Sequence, residues 1–297
     1  MEYIVLNDGN SVPMLCFGPG MMSRGVKYQT GLLGRVQNKI LSIKLQRSYV
    51  DANKTAIENG ARFFDYSATY ANEHLVAKAI KLAGIKREDV ILTTRVSNQS
   101  QFKGNVRQVV LDSIKRFGTN YIDLLEFHWP VTNCYVDTWK EMVKMKSEGI
   151  CRSIGVANCH QHHIEKLIQE TGVIPAVNQI EIHPLFTQKP LLQYCKDKNI
   201  VVEAYTPLAR MDERMTRLPL MNNIAKNHNK TISQIILRWH IQNGVIPVFR
   251  SMNAQRQKEN FDIFDFELTT EEMNAIDSIN INSRLRYDPD NCDFSIL

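Results

Sequence analysis

Ile122-Asp123-Leu124-Leu125-Glu126-Phe127 is an apolar, strand-like run that closes on a polar residue, His128. The same construction recurs on either side of it. Upstream, Ala61-Arg62-Phe63-Phe64 closes on Asp65, with Tyr70 five positions later, and Val90-Ile91-Leu92-Thr93-Thr94 closes on Arg95. Downstream, Ser153-Ile154-Gly155-Val156 leads to Asn158, Ala176-Val177-Asn178 to Gln179, and Val201-Val202-Glu203-Ala204 to Tyr205. Strands are predicted at about 61–65, 90–95, 122–127, 152–156, 175–179, 200–204, 245–249 and 262–266. Helical spacing is predicted over 50–59, 73–83, 104–117, 135–147, 160–170, 188–198, 231–243 and 269–279. Strands alternating with helices of this size build βαβ units and a parallel sheet. Eight units favour an α/β fold closed as a (β/α)8 TIM barrel, whose strand C-termini meet on the face that holds the active site. The polar residues ending these runs then converge on one pocket.

Ahead of the first unit, Tyr3–Leu6 and Val12–Leu15 flank Asn7-Asp8-Gly9-Asn10, which is hairpin-turn chemistry. A hairpin here would plug the barrel floor. Residues 1–297 read as one domain, with an irregular basic insertion at about 21–46 and a C-terminal loop at 280–297. Within the insertion, Arg35 to Tyr49 has apolar spacing compatible with a helix. No GxGxxG follows a strand, so the Rossmann fingerprint is missing.

With 43% hydrophobic and 23% charged residues, the composition is that of an ordinary soluble globular protein. No apolar run approaches the roughly 18–20 residues that cross a bilayer, so no membrane partner is expected. Neither a basic start nor a long apolar core marks Met1–Asp8 as a signal peptide. The six cysteines form no CxxC pair, which fits reduced thiols and a cytoplasmic location. The net charge of +5 comes entirely from residues 21–60, where seven basic side chains face two acidic ones. Nucleic acid needs a broader basic face with interleaved aromatics, so none is expected as a partner.

The chemistry follows from the residue types. A phenol near its reference pKa of about 10 is a poor acid at neutrality unless a cation stands close. Tyr70 is the candidate proton donor, Arg95 the cation, and Asp65 the carboxylate holding Arg95. His128 can donate a hydrogen bond to a carbonyl oxygen and stabilise charge that builds there. Together they describe activation of a C=O for attack by a hydride, with no metal. Each residue also has a bland reading, as packing aromatic, satisfied histidine or structural ion pair. Cys159-His160-Gln161-His162-His163 falls short of zinc-motif spacing, so no metal site is expected.

These blocks resemble the aldo-keto reductase family from Tyr3 to about Asn280. Phe64-Asp65-Tyr66-Ser67-Ala68-Thr69-Tyr70 is similar to the family's Asp/Tyr block, and Leu124-Leu125-Glu126-Phe127-His128-Trp129-Pro130 to its histidine block. Ile154-Gly155-Val156-Ala157-Asn158, Val177-Asn178-Gln179-Ile180-Glu181 and Ala204-Tyr205-Thr206-Pro207-Leu208 resemble its IGVSN, VNQ and AYSPL segments. The resemblance implies NADPH-dependent reduction of a small carbonyl substrate, with Asp65, Tyr70, Arg95 and His128 catalytic. It also implies that Tyr205, flanked by Thr206 and Leu208, stacks on the nicotinamide, and that Asn158 and Gln179 bond its carboxamide. Arg250, Ser251, Arg256 and Asn260 resemble the segment that holds the adenosine 2′-phosphate, after strand seven, where barrels bind phosphate. Trp129, Phe17 and parts of the tail are expected to shape the substrate pocket, in a monomer or weak homo-oligomer.

The chain departs from the family at four places. The catalytic lysine is replaced by Arg95, which cannot lend a proton. The aromatic expected after the first hairpin is missing from Phe17-Gly18-Pro19-Gly20-Met21, Ala157 stands for a serine, and 21–46 is longer than usual. An alternative reading is therefore a catalytically weak NADP(H)-binding sensor or regulatory subunit. An aldolase or isomerase would want a Schiff-base lysine or carboxylate base at a strand end, and none of those strand ends offers one.

Overall fold

The computed structural model describes residues 1–21, 31–70 and 72–296, the side chains of 31–34 excepted. Strands β1 (Tyr3–Val5) and β2 (Ser11–Pro13) pair antiparallel, Tyr3 opposite Pro13. The turn between them uses Gly9 at φ +86°, and Asp8 Oδ1 accepts from the Asn10 backbone at 3.3 Å. Asn7 donates to Pro175 O at 2.8 Å, Asn10 to Ser153 Oγ at 3.0 Å, and Lys146 reaches Asp8 at 2.6 Å. These contacts lie where barrel strands begin, so the hairpin crosses the N-terminal end of the barrel, as the sequence predicts. Leu6, Val12 and Met14 are buried beneath it.

Eight parallel strands close the barrel: β3 (Cys16–Phe17), β4 (Phe63–Asp65), β5 (Ile91–Val96), β6 (Ile122–Phe127), β7 (Cys151–Ala157), β8 (Val177–Glu181), β9 (Val201–Tyr205) and β10 (Val245–Phe249). β10 returns to pair with β3. The helices in order are α1 (Gly31–Glu58), α2 (Glu73–Ala83), α3 (Asn98–Lys103), α4 (Val106–Phe117), α5 (Tyr135–Ser147) and α6 (Gln161–Thr171). They continue with α7 (Lys189–Asp197), α8 (Glu213–Thr216), α9 (Pro219–Asn227), α10 (Ile232–Gln242), α11 (Ala254–Phe261) and α12 (Thr270–Asp277). Glycines in the left-handed region end α2, α4 and α6, where a side chain at positive φ would be strained.

Two expectations need correction. The predicted strand at 262–266 has no ladder partner; the barrel's remaining strand is Cys16–Phe17, too short to show a period. Asp262-Ile263-Phe264-Asp265-Phe266 is a loop in which Ile263 packs inward while Lys230 bonds Asp262 and Asp265 at 2.8 Å. The insertion is not irregular from Gly31 onward: α1 runs 28 residues, held through its second half by buried Tyr49, Val50, Ala56 and Ile57. Residues 22–30 of that insertion lie outside the described residues. No described residue of 21–46 lines the cavity below.

Register places the interior chemistry. Partners on neighbouring strands point to the same face, and Arg95 pairs with Glu126, Glu126 with Gly155, and Gln179 with Glu203. A Cβ at Gly155 would lie 2.9 Å from Val177 O and 3.4 Å from Glu126 Cγ, so this glycine leaves the space that Glu126 fills.

Candidate active site

A cavity of about 690 Å³ opens at the C-terminal end of the barrel. Asp65, Tyr70, Arg95, His128, Trp129, Asn158, Gln179 and Tyr205 line one part of it. Thr206, Leu208, Arg250, Ser251, Arg256 and Asn260 line another. Phe17 lines none of it: it is fully buried, edge-on to Phe64 and Phe249, and Gly18 and Gly20 form the wall instead. Gly18 leaves little room for a side chain, since a Cβ there would meet Asp65 Oδ2 at 3.2 Å.

Arg95 sits at the centre, 2% exposed, with Nη2 on Asp65 Oδ2 at 2.6 Å. Its Nη1 donates to Gln179 Oε1 and stands 3.5 Å from Glu126 Oε2. Gln179 donates back to Asp65 at 3.1 Å and to Glu203 at 2.7 Å. The planar fork of arginine serves these partners at once, which a single ammonium could not do in the same geometry. Three carboxylates, Asp65, Glu126 and Glu203, thus surround one guanidinium. Burial, then the charge of Glu203, pushes Glu126 well above the usual carboxylate range. Burial and then Asp65 do the same to Glu203. Neither oxygen of Glu126 has a hydrogen-bond partner among the described residues. The two glutamates were visible in the sequence as charged residues inside apolar strands, which is the signal that identifies them.

Burial raises the Tyr70 phenol above its ordinary value, and Arg95 offsets this only partly, by its charge and a hydrogen bond. Arg286, from the C-terminal tail, lowers it further and also lines the cavity. His128 is driven down to about 3, by burial first and then by Arg95 and Arg286, so it is a neutral imidazole at pH 7. A neutral ring with its N–H turned to the cavity can orient a carbonyl oxygen without charge of its own.

Asn158, at φ +58°, donates to His128 O at 2.8 Å and accepts from Tyr205 OH at 2.7 Å. The side chains expected to bond a carboxamide are therefore already engaged: Gln179 with the interior cluster, Asn158 with Tyr205. Beyond Tyr205, Thr206, Ala209, Arg210 and Met211 all have φ between +47° and +56°. Such non-glycine residues cost on the order of 1 kcal/mol or more each and cluster at functional sites. Arg210 and Met211 line the cavity together with Thr231 and Ser233, none of which sequence reasoning singled out as site residues.

At the rim after β10, Asn253 caps α11 by accepting from Arg256 N at 2.9 Å, and Ser251 Oγ donates to Asn253 O at 3.1 Å. Arg250 Nη2 lies 3.4 Å from Tyr49 OH. Neither Arg250 nor Arg256 forms an ion pair among the described residues. Two exposed guanidiniums beside a serine and a helix N-terminus make an anion cradle that fits a phosphate.

The tail covers the opposite wall. Glu181 accepts Leu285 N at 2.6 Å and Arg286 N at 2.9 Å, and Phe294 packs on Trp129 with centroids 6.3 Å apart. Among the described residues no helix is long and apolar enough to cross a membrane.

Residues 44–281 match the model of the Aldo/keto reductase family. An uncharacterised oxidoreductase of Bacillus subtilis, YtbE, is 41% identical, covering 82% of this chain and 88% of its own length. A glyoxal reductase of the same organism is 40% identical, with 80% and 85% covered. The crystal structure of a Bombyx mori aldo-keto reductase in complex with NADP is 32% identical, with TM-score 0.84 over 97% of this chain and 96% of that one.

Proposed function

The chain belongs to the aldo/keto reductase family, and on that premise we propose that it reduces a small aldehyde or ketone to an alcohol with NADPH. The observation that carries this reading is that Tyr70, Arg95 and His128 line the same wall of one cavity, beside Tyr205 and Asn158. In this reading the His128 N–H holds the carbonyl oxygen and polarises it. Tyr70 OH donates its proton to that oxygen, and solvent returns the proton after product leaves. Arg95 stabilises the phenolate left behind, and Asp65 keeps the guanidinium aimed at it. When bound, the dinucleotide supplies the hydride that the carbonyl carbon receives. Arg250, Ser251, Arg256 and Asn260 hold its 2′-phosphate, and Tyr205, Thr206 and Leu208 flank the nicotinamide. Asn158 would hold the carboxamide, while Gln179 stays with Arg95.

A glyoxal reductase among the relatives makes glyoxals the first substrates to try. The test is NADPH oxidation with glyoxals, aromatic aldehydes and simple ketones. Turnover of any of them supports the reading.

A second reading, an NADP(H)-binding sensor with weak turnover, is favoured by one observation. Arg95 is shared among Asp65, Gln179 and Glu126 in a buried site, while Tyr70 stays a weaker acid than a free phenol. Nucleotide binding without oxidation across the whole panel supports that reading and removes the first. Arg95→Lys then separates an impaired site, in which kcat rises, from an adapted one, in which it falls.

A further inference from the structure

The run His160-Gln161-His162-His163 has too few ligands in sequence for a zinc motif, but the fold brings the missing one. Asp290, on the C-terminal tail, reaches His160 Nδ1 at 2.8 Å, His162 Nε2 at 3.2 Å and His163 Nε2 at 3.5 Å. One ligand atom from each of the four residues lies within 4.8 Å of the others. His162 and His163 sit at the first turn of α6 with ring centroids 4.0 Å apart.

We propose that His160, His162, His163 and Asp290 form a zinc-binding site that ties the C-terminal tail to the start of α6. Zinc takes imidazole nitrogen and carboxylate oxygen at roughly 2.0–2.2 Å in a tetrahedron, which places neighbouring donor atoms about 3.3–3.5 Å apart. The His162 and His163 contacts to Asp290 already have that spacing. The His160 contact, a hydrogen bond, opens by about half an ångström once a metal replaces its proton. His162 is 61% exposed and Asp290 40%, so an ion enters without unfolding the segment.

Without an ion the cluster is awkward. A single carboxylate is divided among three imidazole rings at the first turn of the helix. A dication bound through one lone pair from each ring and from the carboxylate gives all four groups a common partner. His163 is the weakest of the four ligands, because its Nδ1 accepts from His160 N at 3.2 Å and its tautomer must change for Nε2 to bind metal.

The consequence reaches the proposed active site, which this inference does not depend on. The tail that carries Asp290 also carries Arg286 into the cavity and Phe294 onto Trp129. A metal clasp at 290 fixes the chain between those two points.

The test uses the full chain, titrated with zinc chloride by calorimetry and with cobalt(II) by absorption. The expected result is one ion per chain, with a tetrahedral cobalt spectrum lacking the thiolate charge-transfer band that Cys134 or Cys292 would give. Asp290→Ala and His162→Ala each weaken zinc binding by at least about 10-fold, with unchanged circular dichroism. His163→Ala weakens it least. Zinc also slows amide exchange over residues 285–294 in the wild type and not in Asp290→Ala. Undetectable binding at micromolar zinc, binding untouched by both variants, or a thiolate band would each overturn the proposal.

Discussion

Arg95 lies inside the barrel with its guanidinium divided among Asp65, Gln179 and Glu126, whereas Arg250 and Arg256, at the rim after β10, are exposed and form no ion pair among the described residues. The difference follows from solvent. An isolated buried charge costs several kcal/mol, so an interior arginine must find carboxylates and is locked by them. A rim arginine is hydrated at little cost, keeps its donors, and can exchange water for a phosphate. The interior cation is therefore locked among its partners, whereas the rim cations keep donors free for a ligand.

Removing the interior cation has the largest effect. Arg95→Ala leaves Asp65, Glu126 and Glu203 uncompensated, and the expected loss of stability in denaturant unfolding is about 3–5 kcal/mol. An Arg95→Ala protein as stable as wild type would break the contrast at its interior end. At the rim, Arg250→Ala and Arg256→Ala should leave unfolding unchanged and weaken NADPH binding by roughly 10- to 100-fold each, the range for a charge-assisted bond. NADH binding should hardly move, and nucleotide fluorescence titrations read both.

A pH titration sharpens the interior end. Burial, then Asp65, raises Glu203 from 4.5 to about 8 in the folded protein. A raised acid contributes stability that is fully present below its unfolded pKa and is lost as pH rises through the folded value. Glu203's contribution is therefore lost between pH 4.5 and about 8. Glu203→Gln removes that titration, so its melting temperature should fall less over the same interval and exceed wild type at pH 8. Parallel curves for the two proteins would mean that Glu203 does not hold a proton.

Much of this architecture was legible because parallel barrels repeat one sentence: apolar run, polar terminus, helix. The ends Asp65, Arg95, His128, Gln179 and Tyr205 could be read from it, and they line one cavity. What escaped had no period to betray it. Cys16–Phe17 is two residues long, and the apolar residues of Asp262–Phe266 belong to a loop tied down by Lys230. Phe17 was assigned to the pocket by its place after the hairpin, but β3 turns it into the core and leaves Gly18 at the wall. Asp290 and Arg286 depend on where a tail with little regular structure settles, which local pattern does not encode. Glu126 and Glu203 were readable as misfits in apolar strands, yet only register shows that Glu126 lies beside Arg95 and Glu203 beside Gln179.

The central claim is that Tyr70 delivers the proton in carbonyl reduction while the nucleotide cradle works independently of it. Tyr70→Phe tests this directly, through NADPH oxidation with glyoxal alongside NADPH binding. The account predicts that turnover falls by roughly 10²- to 10⁴-fold, the usual contribution of a positioned acid, with binding retained. A variant that turns over as fast as the wild type would contradict it.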